Sequence, residues 1–286
     1  MSMRFEVIES FSIPGDSAKP NEDSFAHTAR AAAVFDGATG LGEQLMPGLS
    51  DAQWLAQFAG RRFRAYAEAG EGDLRDWLRA AAGDAEKSFL ALRKRPPTDN
   101  YEIPYASAVM VTHGDNELQV LWFGDCAALL HRRDGEFALL GDTLSRKESE
   151  RERVGRLVKP GARGPAAVGV RKEYLPVLRA SRNYVNTAED WLFAPDPNCA
   201  DHAKEARVPI APDTPVLLAS DGFLALASDY ERYTPEVLLA AAQTRGLAAL
   251  GEELRAVENA DPEGLKYPRF KRSDDATALL LRLRAS

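Results

Sequence analysis

Residues 31–40 read AAAVFDGATG, and this stretch decides the fold. Its apolar run predicts a short buried strand, and Asp36 and Gly37 follow at the end of that strand. Residues 215–222, PVLLASDG, repeat the pattern with Asp221. A merely structural carboxylate is costly to place next to a buried strand. The pattern therefore indicates that both aspartates are functional.

Further acidic residues stand beside apolar runs in the same way: Glu22, Asp23, Asp125 and Asp274. The end of a strand holds a carboxylate in place while its charged head stays in water, and hard cations need such oxygen ligands. Converging carboxylates would repel one another unless Mg²⁺ or Mn²⁺ neutralises them. Gly37 has no side chain, so its carbonyl can approach such an ion closely.

A lone Asp-Gly pair is weak evidence, because it is also a common turn dipeptide. Asp134-Gly135 shows the contrast, since it lies between the strand-like runs 126–132 and 137–140 and has charged flanks. We predict a hairpin turn there.

The remaining pattern predicts strands and helices in alternating groups. Helices are expected from Ser50, where Gln53 completes a capping pattern, and from Asp73. Further elements are predicted by the apolar spacing and the caps: strands at 4–13, 106–112, 117–123, 126–132, 215–220 and 276–283, and helices near 222–228, after Thr234-Pro235 and around Leu247. The strand-like runs between 106 and 140 imply an antiparallel meander.

This order predicts an α+β fold, an α-β-β-α four-layer sandwich of two antiparallel sheets flanked by antiparallel helix pairs. A parallel doubly wound sheet would need alternating βα units. Residues 1–286 are expected to form a single domain. The charged, irregular segment at about 141–180 is interpreted as a surface flap, with a helix over 145–158.

Composition excludes several classes of function. The chain of 286 residues has a net charge of −7, which argues against nucleic-acid and anionic-membrane partners. It has no apolar run long enough to span a bilayer, so we expect a cytoplasmic monomer. Cys126 and Cys199 stand far apart, without the spacing of a thiolate metal site.

The chain resembles the bacterial type 2C (PPM) metal-dependent protein phosphatases in six motifs that occur in the family's order. They are NEDSF, AAVFDGATG, ASAVMVT, WFGDCAALL, LLASDGF and SDDATALLL, against the family pattern NED, VFDG, GSTA, GDSR, LLASDG and SDNxT. The resemblance implies the α-β-β-α sandwich and a binuclear metal centre. It also implies hydrolysis of phosphoserine and phosphothreonine in proteins, or of a small phosphoester.

Carried over residue by residue, the resemblance implies a role for each acidic position. Asp36 bridges two Mn²⁺ or Mg²⁺ ions, the Gly37 carbonyl binds one of them, and Asp221 and Asp274 complete the ligand set. Glu22 and Asp23 hold metal-bound waters, and Asp125 binds a third, looser ion or its water. The ions activate a water that attacks the phosphorus in line.

The chain departs from the family at the positions that contact substrate. Ala18 stands where the family has a phosphate-binding Arg. Lys19 is the nearest basic residue that could bind the phosphate instead, and an equally good interpretation is that it is a solvent-exposed loop residue without this role. Ala38 stands where many relatives carry a His that protonates the leaving group. Other basic candidates are Arg171, Lys172, Arg269, Lys271 and Arg272.

Three alternatives compete with this reading. A haloacid-dehalogenase phosphatase would need Asp at position 34, which is Val34, and a serine hydrolase elbow would need Gly at 218, which is Leu218. The third alternative is a catalytically weak binding or regulatory module with the same fold. It is motivated by the changes at Ala18, at Ala38 and at Ala127, which stands where the family pattern GDSR has Arg, whereas the retained carboxylates favour the enzyme.

Overall fold

A computed structural model describes residues 3–114, 116–147, 174–269 and 271–285. The strands in these ranges are β1 Met3–Ile13, β2 Asp23–His27, β3 Ala31–Gly37, β4 Ala106–His113, β5 Glu117–Phe123, β6 Ala127–His131, β7 Phe137–Leu140, β8 Lys204–Pro209, β9 Pro215–Ala219 and β10 Ala276–Ala285. The α-helices with described bounds are α1 Asp51–Ala69, α2 Leu74–Leu92, α3 Leu175–Arg182, α4 Asp221–Ser228, α5 Pro235–Arg245 and α6 Leu247–Ala260.

Two antiparallel sheets form the centre of the molecule. One has the strand order β1-β10-β9-β6-β7 and the other β2-β3-β4-β5-β8. Their facing sides share an apolar core to which Val34, Val109, Leu218 and Leu279 contribute. Helices α1 and α2 cover the outer face of the second sheet, and α4, α5 and α6 cover that of the first. The predicted α-β-β-α sandwich is confirmed.

Strand β3 is apolar from Ala31 to Phe35, and these five residues are buried on both faces of the sheet. Successive side chains point to opposite sides of a sheet. Val34 therefore enters the core between the sheets, while Phe35 packs under the helices against Phe63 and Phe193, with ring centroids 6.2 and 5.6 Å away. This double burial holds the end of the strand, and with it Asp36, in one position.

Local capping starts the helices where the sequence predicts them. The Ser50 hydroxyl accepts a hydrogen bond from the Gln53 amide at 3.3 Å, and Asp73 forms a complete capping box with Asp76. Helix α5 begins at Pro235, after the N-cap Thr234.

The meander predicted between 106 and 140 is wrong at one point. Strands β4 and β5 pair, and so do β6 and β7 around the predicted turn at Asp134-Gly135, but β5 and β6 belong to different sheets. The chain crosses between the sheets at Gly124, whose φ of 65° is left-handed. A Cβ there would collide with the Ser107 side chain, so glycine is required.

Some elements lie outside the sequence predictions. Strands β2 and β8 had no assignment, and α3 falls inside the segment expected to be a flap. The helix expected at 145–158 lies mostly outside the described residues, although 143–147 are helical. The single-domain assignment of residues 1–286 stays a prediction. None of the helices in the described ranges has the length and apolar character needed to cross a bilayer.

Replacing Leu218 by Ala should lower the free energy of unfolding by about 2–5 kcal/mol, because the side chain is fully buried between the sheets and its removal leaves a cavity. The matched control is Leu265→Ala, since Leu265 is 69% exposed, and we expect a change within about 0.5 kcal/mol. Urea unfolding followed by circular dichroism measures both. Equal losses would contradict the assignment of the inter-sheet core.

Candidate metal centre

Acidic residues from separate segments converge where the two sheets meet. Asp23 on β2 lies opposite Asp36 on β3 in the strand register. Asp125 occupies the crossing between the sheets, and Asp221 opens α4 directly after β9. A cavity of about 690 Å³ is lined by Asp36, Asp125, Asp221 and Asp274. The topology thus brings together residues that are far apart in sequence.

Three of these carboxylates form a tight group. Among the residues that the structure describes, Asp36, Asp125 and Asp221 each offer an oxygen within 4.8 Å of the others. Burial raises the pKa of Asp36 well above its ordinary value, and the charges of Asp23 and Asp221 raise it further. Burial, then the charge of Asp221, raises the pKa of Asp125 to about 6. The group is therefore short of positive charge.

Asp221 differs from its neighbours because a lysine contacts it. The Lys147 Nζ atom lies 2.8 Å from Asp221 Oδ2 and 3.7 Å from Asp229 Oδ2. Burial acts to raise the pKa of Asp221, but Lys147 and a hydrogen bond with Asp36 outweigh it, so the net direction is downward. The first turn of α4 adds a favourable position for a negative charge. Asp221 is thus the carboxylate most readily ionised in the group.

Asp274 lies on the wall of the cavity, outside the tight group of three. Its Oδ1 atom accepts hydrogen bonds from the Lys271 ammonium at 2.7 Å and from the Asp275 amide at 3.0 Å. Asp275 itself faces away, and its carboxylate accepts from the amides of Gly15 and Glu22. The structure therefore places Asp125 within the tight group and Asp274 beside it.

Glu22 and Asp23 stand behind the cavity. The two carboxylate oxygens of Glu22 accept from the hydroxyls of Ser50 and Thr39. Asp23 is buried, and its Oδ2 atom accepts from the Ser220 hydroxyl at 2.8 Å, whereas Oδ1 has no partner. Burial raises the pKa of Asp23 to about 8, despite the opposing hydrogen bond from Ser220.

Gly37 sits at a position that admits no side chain. Its amide donates to the Glu22 carbonyl at 3.0 Å, and a Cβ would lie 2.6 Å from that carbonyl and 2.7 Å from the carbonyl of Ala52. The backbone just before β2 and the start of α1 thus close against it. Gly37 also lines the cavity, next to Asp36.

The basic residues are arranged differently from the sequence expectation. Lys19 is 75% exposed, its Nζ atom lies 3.8 Å from Asp16, and it lines a neighbouring cavity. Lys271, one of the basic candidates from the sequence, contacts Asp274, and Lys147 contacts Asp221. Lys147 had no local signal, because it is one charge in a highly charged stretch. The candidates Arg171 and Lys172 lie outside the described residues.

The donor set is suited to a hard divalent cation. The side chains of the tight group offer only carboxylate oxygens, which Mg²⁺ and Mn²⁺ prefer. The buried, unpartnered Oδ1 of Asp23 shows that the acidic core is not satisfied by protein groups alone. Raised pKa values at Asp23, Asp36 and Asp125 indicate the same shortage of positive charge.

Comparisons with known proteins relate the fold and part of the sequence to a known family. Residues 16–152 match the family model for protein phosphatase 2C. The catalytic domain of the serine/threonine phosphatase PstP, solved with two manganese ions, is 17% identical with a TM-score of 0.56, and the match covers 99% of this chain and 100% of that domain. A comparison with curated proteins gives no significant match.

Two further solved structures share the fold. The PPM Ser-Thr phosphatase MsPP from Mycobacterium smegmatis, in complex with cacodylate, is 17% identical with a TM-score of 0.55, covering 96% of this chain and 98% of its own. The phosphatase Stp1 from Staphylococcus aureus is 13% identical with a TM-score of 0.55, covering 98% and 96%. The resemblance to the type 2C phosphatases is confirmed in the fold and, in sequence, over residues 16–152, which carry the first four of the six motifs.

Replacing Asp36 by Asn should raise the free energy of unfolding of the metal-free protein by about 0.5–2 kcal/mol. The pKa of Asp36 is higher in the folded than in the unfolded chain, so above about pH 4 its ionisation opposes folding, and the amide removes that cost. Urea unfolding at pH 7 with a chelator measures the change.

The control for this variant is Asp134→Asn in the exposed hairpin turn, for which we expect no gain. A loss of stability in Asp36→Asn would show that repulsion does not dominate the cluster.

Proposed function

We propose that this protein is a metal-dependent phosphoester hydrolase that removes phosphate from phosphoserine and phosphothreonine in proteins. The observation that carries the proposal is the group formed by Asp36, Asp125 and Asp221, within 4.8 Å of one another at the mouth of a type 2C phosphatase fold. A small phosphoester is the other substrate class compatible with this site. The net charge of −7 favours a cytoplasmic monomer without nucleic-acid or membrane partners.

We assign Mn²⁺ or Mg²⁺ ligands to Asp36, the Gly37 carbonyl, Asp221 and Asp274, and a third, looser ion to Asp125. Glu22 and Asp23 would support the ligand set through water. Bound there, the ions supply Lewis-acid activation of water and neutralise phosphoryl oxygens. The protein's own contribution is to hold the carboxylates rigidly, as the Ser107 hydroxyl does for Asp125 at 2.6 Å.

The leaving group receives no proton from position 38, which is Ala38. The neighbouring Thr39 hydroxyl donates to Glu22 at 2.5 Å and is therefore committed to a carboxylate. General acid catalysis contributes roughly 10²–10⁴-fold, so esters with good leaving groups should react faster than alkyl phosphates. Aryl phosphates such as p-nitrophenyl phosphate are accordingly suitable test substrates.

Mn²⁺-dependent hydrolysis of p-nitrophenyl phosphate should fall by more than about 100-fold in Asp36→Asn and in Asp221→Asn. Loss of a supporting partner of a metal ligand costs roughly 10- to 100-fold, and loss of the ligand itself should exceed this. Initial rates with and without chelator measure the effect.

The matched control is Asp134→Asn, which should retain the full rate. Turnover that resists chelator and both substitutions would contradict the proposal. Metal-saturated protein without turnover would instead support a binding or regulatory module, the reading favoured by the changes at Ala18, Ala38 and Ala127.

Mn²⁺ should raise the melting temperature of the protein, and the midpoint is the Mn²⁺ concentration that gives half of this rise. Replacing Lys147 by Met should lower the midpoint about 10-fold. The Lys147 ammonium contacts Asp221, so a cation must break a charge-assisted contact of about 1.5 kcal/mol before it can bind. The metal-free variant should be less stable than the parent, because Asp221 loses its counter-charge. Differential scanning fluorimetry over a Mn²⁺ titration measures both changes.

Lys87→Met is the control for this experiment, since Lys87 is 80% exposed on α2 and should leave the midpoint unchanged. An unchanged or higher midpoint in Lys147→Met would show that this lysine does not compete with the ion.

A further inference from the structure

We propose that Lys271 is the residue that grips the phosphoryl group of the substrate, an inference that rests on the proposed function. The family's phosphate-binding Arg is replaced by Ala18, which leaves this role without a residue. The Lys19 ammonium lies 3.8 Å from Asp16 and lines the neighbouring cavity rather than that of the carboxylates. The structure offers a cation at the edge of the acidic cluster instead.

Lys271 is positioned by two partners on the cavity wall. Its Nζ atom donates to Asp274 Oδ1 at 2.7 Å and to Thr39 Oγ1 at 3.1 Å. Thr39 in turn donates its own proton to Glu22, so its oxygen is oriented to accept from the ammonium. Lys271 and Thr39 line both the cavity of the acidic cluster and the neighbouring one. The ammonium therefore lies where the two cavities join.

Hydrogen bonds anchor the described residues on both sides of Lys271. The carboxylate of Asp261 accepts hydrogen bonds at 2.9–3.2 Å from four donors, which are the amides of Leu265, Lys266 and Tyr267 and the guanidinium of Arg269. At the other end of the loop, Arg255 donates to the Asp274 carbonyl at 2.8 Å. Asp261 and Arg255 thus anchor the loop on either side of Lys271, and a pre-positioned charge loses little entropy when a ligand binds.

Three other cations that line the cavity, Arg146, Lys147 and Lys204, are less suited to this role. Arg146 and Lys204 are paired with Asp190 and Asp142, which lie outside the carboxylate cluster. Lys147 contacts Asp221, but its side chain is only 12% exposed, against 33% for Lys271. Lys271 thus combines contact with the cluster and access to a ligand.

The charge balance supports the same assignment. The Lys271 ammonium is held by Asp274, which we assign as a metal ligand. A divalent cation on that carboxylate would weaken its hold on the ammonium and leave a positive charge facing the cavity. A phosphate dianion is the ligand that such an arrangement attracts. Because lysine is a point charge without the fork of arginine, the phosphate is held without a fixed bidentate orientation.

The test is orthophosphate binding to the Mn²⁺-loaded protein, measured by isothermal titration calorimetry, together with KM and kcat for p-nitrophenyl phosphate. Lys271→Met should raise the Kd for orthophosphate by about 10- to 100-fold, the loss expected for one charge-assisted hydrogen bond. KM should rise in parallel. Lys271→Gln retains polarity without charge and should show the same loss. Lys19→Met is the control and should change the Kd less than twofold.

The outcomes separate this proposal from the proposed function. Phosphate binding that depends on Lys271 in a protein without turnover would overturn the hydrolase and support the phosphate site. Turnover with unchanged Kd and KM in both Lys271 variants would overturn the phosphate site alone. A loaded protein that does not bind orthophosphate would also overturn the site. Melting temperatures of the variants, measured in chelator, identify any loss of fold.

Discussion

Repulsion between buried carboxylates is the interaction on which the rest of this structure depends. Asp36, Asp125 and Asp221 are held within 4.8 Å of one another, and burial makes each negative charge more costly than it would be in water. The chain offsets part of this cost with Lys147 on Asp221, and Asp36 and Asp125 respond with raised pKa values. A site so arranged favours binding of a cation, because each unit of positive charge relieves several repulsions at once.

The two sheets prevent the carboxylates from moving apart. Strand β3 is buried on both faces, so Asp36 cannot retreat without disrupting the packing of Val34 and Phe35 in two separate cores. Gly124 allows the chain to pass from one sheet to the other and sets Asp125 at the crossing. The same apolar packing that stabilises the fold thus holds the carboxylates together against their repulsion, an arrangement that is common where function and stability compete.

Sequence reasoning succeeded where the signal is local. The caps at Ser50 and Asp73 identify the starts of two helices, and the fully apolar runs identify buried strands. In both cases the residues that carry the signal are neighbours in sequence. It failed where partners are distant. The runs that became β5 and β6 are buried on both faces and lack the alternation that would assign each to a sheet, so their separation at Gly124 was missed. The Lys147 contact with Asp221 spans a long stretch of chain, and no local pattern identifies it.

Two lysines from different segments contact the carboxylates, and they differ in how far their side chains are exposed to solvent. Lys147 is largely enclosed, so its charge acts on Asp221 and Asp229. Lys271 is more open and shares Asp274 with the assigned metal site. If Asp274 binds the ion and Lys271 the phosphate, as proposed, the two binding events would be linked through one carboxylate. Linkage is reciprocal, so an ion on Asp274 would strengthen phosphate binding and bound phosphate would strengthen binding of the ion. On the proposed assignment, such coupling would compensate for the arginine that Ala18 replaces, because the lysine would attract phosphate most strongly when the ions are in place.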